Sequence, residues 1–262
     1  MAEIPIDNYF SRITNVITSF FSSVIFYTIV PLPEKWTNNW LRIARWCPLV
    51  GLLIGLFVYA AIELFHLLGV PNLTGKALGV AVWVAITGGL HLDGVMDTAD
   101  GLSVTDPARR LEVMKDSVTG AFGAIAGIVV LLLKVVALSE MSLPLWLVLL
   151  SATGWARWGQ VWAIAFYPYL RATGKGSFHQ ENLRLPQDIL LGLFVLLAVS
   201  GFWLTVDYLS WWRIGVMILG NIAIALLTGY WFNRQLGGHT GDTYGAVVEW
   251  SEVFILCFLT AF

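Results

Sequence analysis

The chain has 262 residues, of which 58% are hydrophobic and only 12% are charged, and its formal net charge is −2. Because a soluble domain carries about 25% charged residues, this composition excludes an ordinary soluble protein and is typical of a helical membrane protein. The small net charge gives no reason to expect a nucleic acid partner. The two cysteines, Cys47 and Cys257, are far apart in apolar surroundings and indicate neither a disulfide framework nor a cysteine-bound zinc site.

Six apolar stretches are long enough, or nearly so, to cross the hydrocarbon core of a bilayer as helices. They cover residues 48–69, 77–92, 121–138, 143–170, 189–209 and 214–232. Two further stretches are more polar: 13–30 contains Ser, Thr and Asn, and 244–262 carries two glutamates in its first turns. We predict one all-α domain over residues 1–262, a polytopic integral membrane protein with about six to seven transmembrane helices. Residues 13–30 are expected to form a re-entrant or interfacial helix that does not fully span.

Basic residues are distributed unevenly between the loops. When the six clear spans are taken in order, one set of alternate loops holds eleven Lys and Arg residues and the other set holds two. Cytoplasmic loops of membrane proteins collect Lys and Arg. The larger set therefore predicts the cytoplasmic face of the membrane, and it includes residues 93–120, 171–188 and 233–243.

Three aspartates follow the second apolar stretch, in "GGLHLDGVMDTADGL" at residues 88–102. Asp93, Asp97 and Asp100 are spaced i, i+4, i+7, which would put all three on one face of a helix. A divalent cation would remove the resulting repulsion, and Mg²⁺ prefers oxygen ligands, waters and substrate phosphates. The alternative is a solvated loop, or a helix N-terminus whose acids offset the macrodipole.

His91 precedes the first of these acids by two residues. An imidazole there either binds a backbone carbonyl at the membrane interface or serves as a general base or phosphate contact. Both interpretations remain open from the sequence.

Cationic and imidazole side chains recur in the other segments assigned to this face. Phosphate binding is one interpretation of them, and topology alone is the other for the loop arginines. Arg157 lies within a span, where an arginine either faces an internal cavity or extends to the interface. The candidate substrate-binding residues are Lys115, Arg157, Arg171, Lys175, His179, Arg234 and His239, and Asp242 is a further candidate metal ligand.

Several motifs in this order closely resemble the cobalamin synthase family, the adenosylcobinamide-GDP ribazoletransferases. They are "GGLHLDGVMDTADGL", "MKDS" with "GAFG", "YP" with "RATGKGSF", and "LGGHTGDTYGAVVEWSE", between residues 88 and 252. The resemblance implies a Mg²⁺-dependent membrane enzyme whose partners are the lipid bilayer and two substrates. These are adenosylcobinamide-GDP and α-ribazole or its 5′-phosphate, which would give GMP and adenosylcobalamin or its 5′-phosphate.

On this resemblance Asp93, Asp97, Asp100 and Asp242 are expected to bind the metal. Three residues are candidates for the proton acceptor: His91, Asp100 and His239. The predicted catalytic residues are His91, Asp97 and Asp100. Two other classes compete with this hypothesis: another Mg²⁺-dependent membrane phosphotransferase, and a transporter of divalent cations or corrinoids. Homo-oligomer formation is left open.

Overall fold

α-Helices form the regular structure of the chain. The computed structural model describes residues 6–116, 118–171, 175–207 and 209–262, with the side chains of residues 6–12 and 175 outside the description. Within these ranges the all-α prediction is confirmed. The helices are α1 (Ile6–Tyr27), α2 (Cys47–Leu67), α3 (Asn72–Ile86), α4 (Leu90–Ser103), α5 (Pro107–Val113), α6 (Ala121–Ser139), α7 (Leu145–Phe166), α8 (Lys175–Asn182), α9 (Gln187–Ser200), α10 (Trp211–Leu236) and α11 (Gly241–Leu259).

Fewer helices than expected have the length and composition of a membrane span. In the described residues there are four, covering Ile43–Leu67, Ala121–Ser139, Gln187–Thr205 and Trp211–Leu236. A fifth is formed if α3 and α4, which are bent by 88° at their junction, count as one broken span. The prediction of six to seven was therefore too high. Polar side chains such as Arg157 in α7 and Glu252 in α11 lower the apolar content of two helices that are otherwise long enough.

α7 and α11 are the interior helices of the bundle. Nearly every residue of α7 between Leu147 and Ile164 is buried, and most of α11 is buried as well. α7 packs chiefly against α2 and α11, and α11 also packs against α4. Gly51 of α2 makes the first of these contacts close, because a Cβ at that position would overlap the backbone carbonyl of Thr153. Small residues allow membrane helices to approach in this way.

The outward faces of the surrounding helices are apolar. Phe57, Ile128, Phe194 and Leu219, from α2, α6, α9 and α10, are all exposed. Apolar surface of this extent on helices of spanning length fits contact with lipid rather than water.

The end of α1 reaches the bend between α3 and α4. The backbone N–H of Ile29, just past α1, donates to the carbonyl of Ile86 over 2.8 Å. The apolar part of α1 that is described, Ile13–Tyr27, is shorter than a span. That this segment does not fully cross stays a prediction, but the contact positions its last residues beside the first turn of α4.

Candidate active site

The three aspartates of the sequence motif lie on α4, at the spacing that puts them on one helix face. Asp93 is exposed, Asp97 is half-buried and Asp100 is buried. The helix begins at a glycine, Gly89, whose φ of 71° lies in the left-handed region that favours glycine. This residue lets the chain turn sharply between α3 and α4, which are bent by 88° at their junction. The three acids therefore lie on a helix that leaves α3 and runs towards α5.

Asp100 caps the N-terminus of a different helix. Its two carboxylate oxygens accept hydrogen bonds from the backbone N–H groups of Gly120, at 2.7 Å, and Gly123, at 2.8 Å. The first N–H groups of a helix have no partner within it, and Gly120, the residue before α6, has no side chain to supply one. The carboxylate therefore satisfies and orients the start of α6.

A fourth acid, Asp242, faces α4 from the first turn of α11. Thr240 and Thr243 form a capping box that starts the helix. The carboxylate of Asp242 lies 2.6 Å from Nη2 of Arg171, and both side chains are 20% exposed. Asp97 is close enough to interact electrostatically with Asp93, Asp100, Asp242 and Arg171. The motifs at residues 88–102, 171–180 and 233–252 therefore meet in space.

Main-chain bonds hold the loops before Arg171 and Asp242 together. Tyr169 and His239 form an isolated parallel β-bridge. The N–H of His239 donates to Pro168, and the N–H of Leu170 donates to His239, each over 2.8 Å. These bonds fix the Arg171 loop beside the start of α11.

His239 has a partner at each ring nitrogen. Nε2 lies 3.1 Å from the carbonyl oxygen of Gly229, which can only accept, so Nε2 carries the proton and Nδ1 accepts from the Thr243 hydroxyl at 3.0 Å. Burial lowers the pKa of His239 to about 4. The imidazole is therefore neutral near pH 7 and orders the loop ahead of Asp242.

Charged and neutral side chains from these motifs line one cavity of about 230 Å³. Its lining comes from α1, α4, α7, α8, α11 and the Arg171 loop: Phe26, Tyr27, Leu90, His91, Asp93, Gly94, Gln160, Tyr169, Arg171, Gly176, His179, Gly241, Asp242, Tyr244 and Gly245. Of the predicted site residues, the cavity wall brings together His91, Asp93, Arg171, His179 and Asp242.

The oxygen donors at this cavity fit a magnesium ion in part. Asp93 and Asp97 lie one helical turn apart, and a protein site for Mg²⁺ commonly uses one or two carboxylates with waters and substrate phosphates. Among the side chains that the structure describes, no three His, Cys, Asp or Glu residues form a group that could hold a metal ion. The residues therefore suit an ion that completes its ligands with water and phosphate, rather than a closed protein site.

Arg157 belongs to an ion cluster inside the bundle. Its Nη1 lies 2.6 Å from Glu252, and Nζ of Lys134 lies 2.7 Å from Glu249 and 2.6 Å from Glu252. All four side chains are almost fully buried. Two cations thus balance two carboxylates. Glu249, although it lies two turns after Asp242 on α11, is paired with Lys134 and is not available to a metal at the cavity.

The remaining predicted residues lie apart from the cavity or outside the description. Lys115 is exposed in the turn after α5, and Arg234 is exposed in the last turn of α10. The side chain of Lys175 lies outside the described residues, as do residues 172–174 of the same motif. His179, by contrast, lines the cavity; it is buried on α8 and packs edge-on against Phe26, with ring centroids 4.9 Å apart.

Sequence reasoning did not single out Gln160, Tyr169 and Tyr244, although all three line the cavity. Gln160 is a polar residue in an apolar stretch, three positions after Arg157, and that was the available signal. Tyr244 stands in a motif that carried the family resemblance, and Tyr169 lies between the two parts of another, but aromatic residues are so common in this chain that nothing distinguished them.

A larger groove of about 610 Å³ lies between α4, α10 and α11. Its lining, which includes Leu102, Leu227 and Trp231, contains no charged side chain. A surface of this kind offers nothing to stabilise a reacting phosphate, so we assign no chemistry to it.

Comparison with known proteins identifies the family. The sequence model described as cobalamin-5-phosphate synthase matches residues 19–260. An adenosylcobinamide-GDP ribazoletransferase of Trichormus variabilis is 55% identical over 240 residues, covering 91% of this chain and 95% of the relative. Proteins of the same name from Synechocystis sp. and Desulfitobacterium hafniense are 51% and 39% identical, and each alignment covers about nine-tenths of both chains. No solved structure matches the chain.

The motifs that meet around the cavity all fall inside the matched residues, and the relatives are aligned over nearly their whole length. The chain therefore belongs to the cobalamin-5-phosphate synthase family and is an enzyme of that family.

Proposed function

We propose that the chain is a Mg²⁺-dependent adenosylcobinamide-GDP ribazoletransferase of the prokaryotic inner membrane, with its active site on the cytoplasmic side. It would join α-ribazole, or α-ribazole 5′-phosphate, to adenosylcobinamide-GDP and release GMP. The names of its relatives support the reaction. The excess of basic residues in one set of loops supports the orientation.

The observation that carries this proposal is the meeting of Asp93, Arg171 and Asp242 at one cavity, with Asp97 within electrostatic range. Phosphoryl transfer needs positioned cations and carboxylate-bound metal more than it needs covalent chemistry from the protein. Asp93 and Asp97 would hold Mg²⁺ together with water and phosphate oxygens, and the bound ion would neutralise charge on the pyrophosphate. Arg171 can exchange its contact with Asp242 for a phosphate oxygen.

The reaction moves one proton as well as one phosphoryl group. A ribose hydroxyl oxygen forms a new bond to the cobinamide-side phosphorus, the bond from that phosphorus to the oxygen of GMP breaks, and the hydroxyl proton goes to a base. His91 lines the cavity, and neither ring nitrogen has a hydrogen-bond partner among the described residues. Because His239 uses both of its nitrogens and Asp100 caps α6, His91 is the best-supported acceptor.

Release of GMP tests the proposal directly. Purified protein in lipid nanodiscs should release GMP when both substrates and Mg²⁺ are present, and a chelator should abolish the release. Asp97→Asn should reduce turnover by about 100-fold or more, because it removes a charged metal ligand. Asp207→Asn, an exposed aspartate outside the site, is the matched control.

Each competing function gives a different result with the same purified protein. Release of CMP from a CDP-linked substrate, without GMP release, would indicate another membrane phosphotransferase. Ion or corrinoid flux into sealed liposomes without a second substrate would indicate a transporter. Asp97→Asn with near-normal turnover would overturn the metal assignment alone.

A further inference from the structure

The cavity has two layers that differ in charge. Gly94 of α4 lies against the backbone of Asp242, and Gly245 of α11 lies against the backbone of His91. The two helices therefore run antiparallel where they touch, and the two contacts define two levels of the cavity. The inner level, where His91 meets Gly245, lies three residues, or about 4.5 Å along the helix axis, further into the bundle than the outer level, where Gly94 meets Asp242. Asp93 and Asp242 belong to the outer level, while His91 and Tyr244 belong to the inner one.

The exposed fractions of the side chains agree with this division into an outer and an inner level. Asp242 and Arg171 at the outer level are each 20% exposed. At the inner level His91 is 1% and Tyr244 is 2% exposed, and Gln160 of α7, which lines the same cavity, is 4% exposed. The charged groups thus lie at the outer level, which is the mouth of the cavity. Neutral polar groups form the buried inner part, which is its floor.

The floor contains polar atoms that lack partners. Among the described residues, nothing hydrogen-bonds Oη of Tyr244, Oε1 of Gln160 or either ring nitrogen of His91. Buried polar atoms are normally paired, and leaving one unpaired costs free energy. Three such side chains in the wall of one cavity indicate a ligand that supplies hydrogen bonds of its own.

Aromatic rings flank the same floor. Tyr169 and Tyr244 are stacked at 6.1 Å with 23° between their planes, and Tyr27 and His91 are stacked at 6.2 Å with 9°. Phe26 also lines the cavity. Flat aromatic walls and neutral hydrogen-bonding groups suit an uncharged heterocycle that carries hydroxyl groups.

The size of the cavity limits what can occupy it. At about 230 Å³ it lies below the 300–1,000 Å³ typical of sites for drug-sized ligands. A corrinoid cannot enter, whereas the base and sugar of one nucleoside are of the right order. From these observations we infer that the floor binds the heterocycle and ribose of the nucleoside substrate, with Gln160 and Tyr244 as its hydrogen-bonding residues.

This inference rests on the proposed function and refines it. The nucleoside would enter first, with its reacting hydroxyl towards His91 and the charged level. The phosphates of the corrinoid substrate would then meet Arg171 and the carboxylates at the mouth, while the corrin stays outside. The two substrates would therefore depend on different residues.

Two variants test this separation. Tyr244→Phe and Gln160→Leu each remove hydrogen-bonding atoms with little change in volume. Each should weaken binding of α-ribazole alone, measured by calorimetry in nanodiscs without corrinoid, by about ten-fold. The KM for the nucleoside should rise similarly, while the KM for adenosylcobinamide-GDP stays within about two-fold, since no contact to that substrate is removed. Tyr230→Phe, at an exposed tyrosine of α10, is the matched control, and thermal unfolding of each variant reports on folding.

The outcomes separate this inference from the proposed function. If wild type releases GMP but the variants leave nucleoside binding unchanged, or raise only the KM for the corrinoid substrate, the floor holds water or another ligand and the inference is overturned. If wild type releases no GMP, the proposed function fails. Calorimetry then tests the inference separately. If wild type binds the nucleoside and both variants bind it more weakly, the nucleoside site is upheld. If wild type does not bind the nucleoside, the inference is overturned.

Discussion

Gly94 of α4 lies directly against the backbone carbonyl of Asp242, so the two acidic helices touch with no side chain between them. A Cβ at position 94 would overlap that carbonyl. Asp93 and Asp242 are consequently held at a separation that the two backbones determine.

Gly94→Ala should therefore push α4 away from α11 and displace Asp93 from Asp242. We expect turnover to fall about 100-fold, as displacements near 1 Å can do, and the free energy of unfolding to fall by about 1–3 kcal/mol through overpacking. GMP release and thermal unfolding measure the two effects. Gly215→Ala is the control, because a Cβ there meets open space and alanine favours the helix. Normal turnover in Gly94→Ala would show that this spacing is unimportant.

Asp100→Asn separates a capping role from a metal-binding role. An amide offers one acceptor oxygen where the carboxylate offers two, so the N-terminus of α6 should lose about 1–2 kcal/mol of stabilisation. Turnover per folded molecule should stay within a few-fold of wild type. Asp106→Asn is the comparison, since Asp106 caps the short exposed helix α5 and should matter less. Loss of turnover with unchanged thermal unfolding would instead identify Asp100 as a ligand or base.

The stability of the protein should depend on His239 at acidic pH. Its pKa of about 4 lies below the value of 6.5 expected when unfolded. The unfolded chain therefore binds more protons between these two values, and the free energy of unfolding falls as pH decreases from 6.5 to 4. The loss should reach about 3 kcal/mol and be complete below pH 4.

Thermal unfolding of wild type and His239→Gln across pH 4–8 measures this contribution as a difference between the two proteins. The difference should change only below pH 6.5. His66→Gln, at an exposed histidine of α2, should leave the pH dependence as it is in wild type. A wild-type curve that parallels His239→Gln throughout would mean that folding does not lower the pKa of His239.

Lys134→Met should be among the most destabilising changes in the chain. It leaves Glu249 and Glu252 buried with only Arg157 to balance them, and breaking a buried ion pair costs about 3–5 kcal/mol. The cation also lies 4.1 Å from the ring centre of Trp83, a contact that would be lost as well. Adding Glu249→Gln restores charge balance and should recover most of the thermal stability. A double variant as unstable as Lys134→Met would argue against charge balance as the cause.

The sequence predicted those features that depend on local pattern. The spacing of Asp93, Asp97 and Asp100 indicated one helix face, and the structure has that helix. The motifs around Arg171 and Asp242 were grouped by loop charge and resemblance, and their side chains do meet.

Features that depend on which helices touch could not be predicted. Nothing along the chain indicates that Lys134 faces Glu249, because 115 positions separate them. For the same reason the segment of α7 was predicted as an ordinary span, although neighbouring helices rather than lipid cover it. Gln160 and Tyr244 gained significance only when α7 and α11 placed them at the floor of one cavity.

The buried ion cluster has a consequence for the order in which the chain is made. Arg157 precedes its partner Glu252 by 95 positions, so ribosomal synthesis delivers both cations to the membrane well before either carboxylate. Until α11 emerges, α6 and α7 carry charges that a bilayer does not accommodate cheaply. Insertion of α11 is thus the step at which the buried charges of α6 and α7 first find their partners.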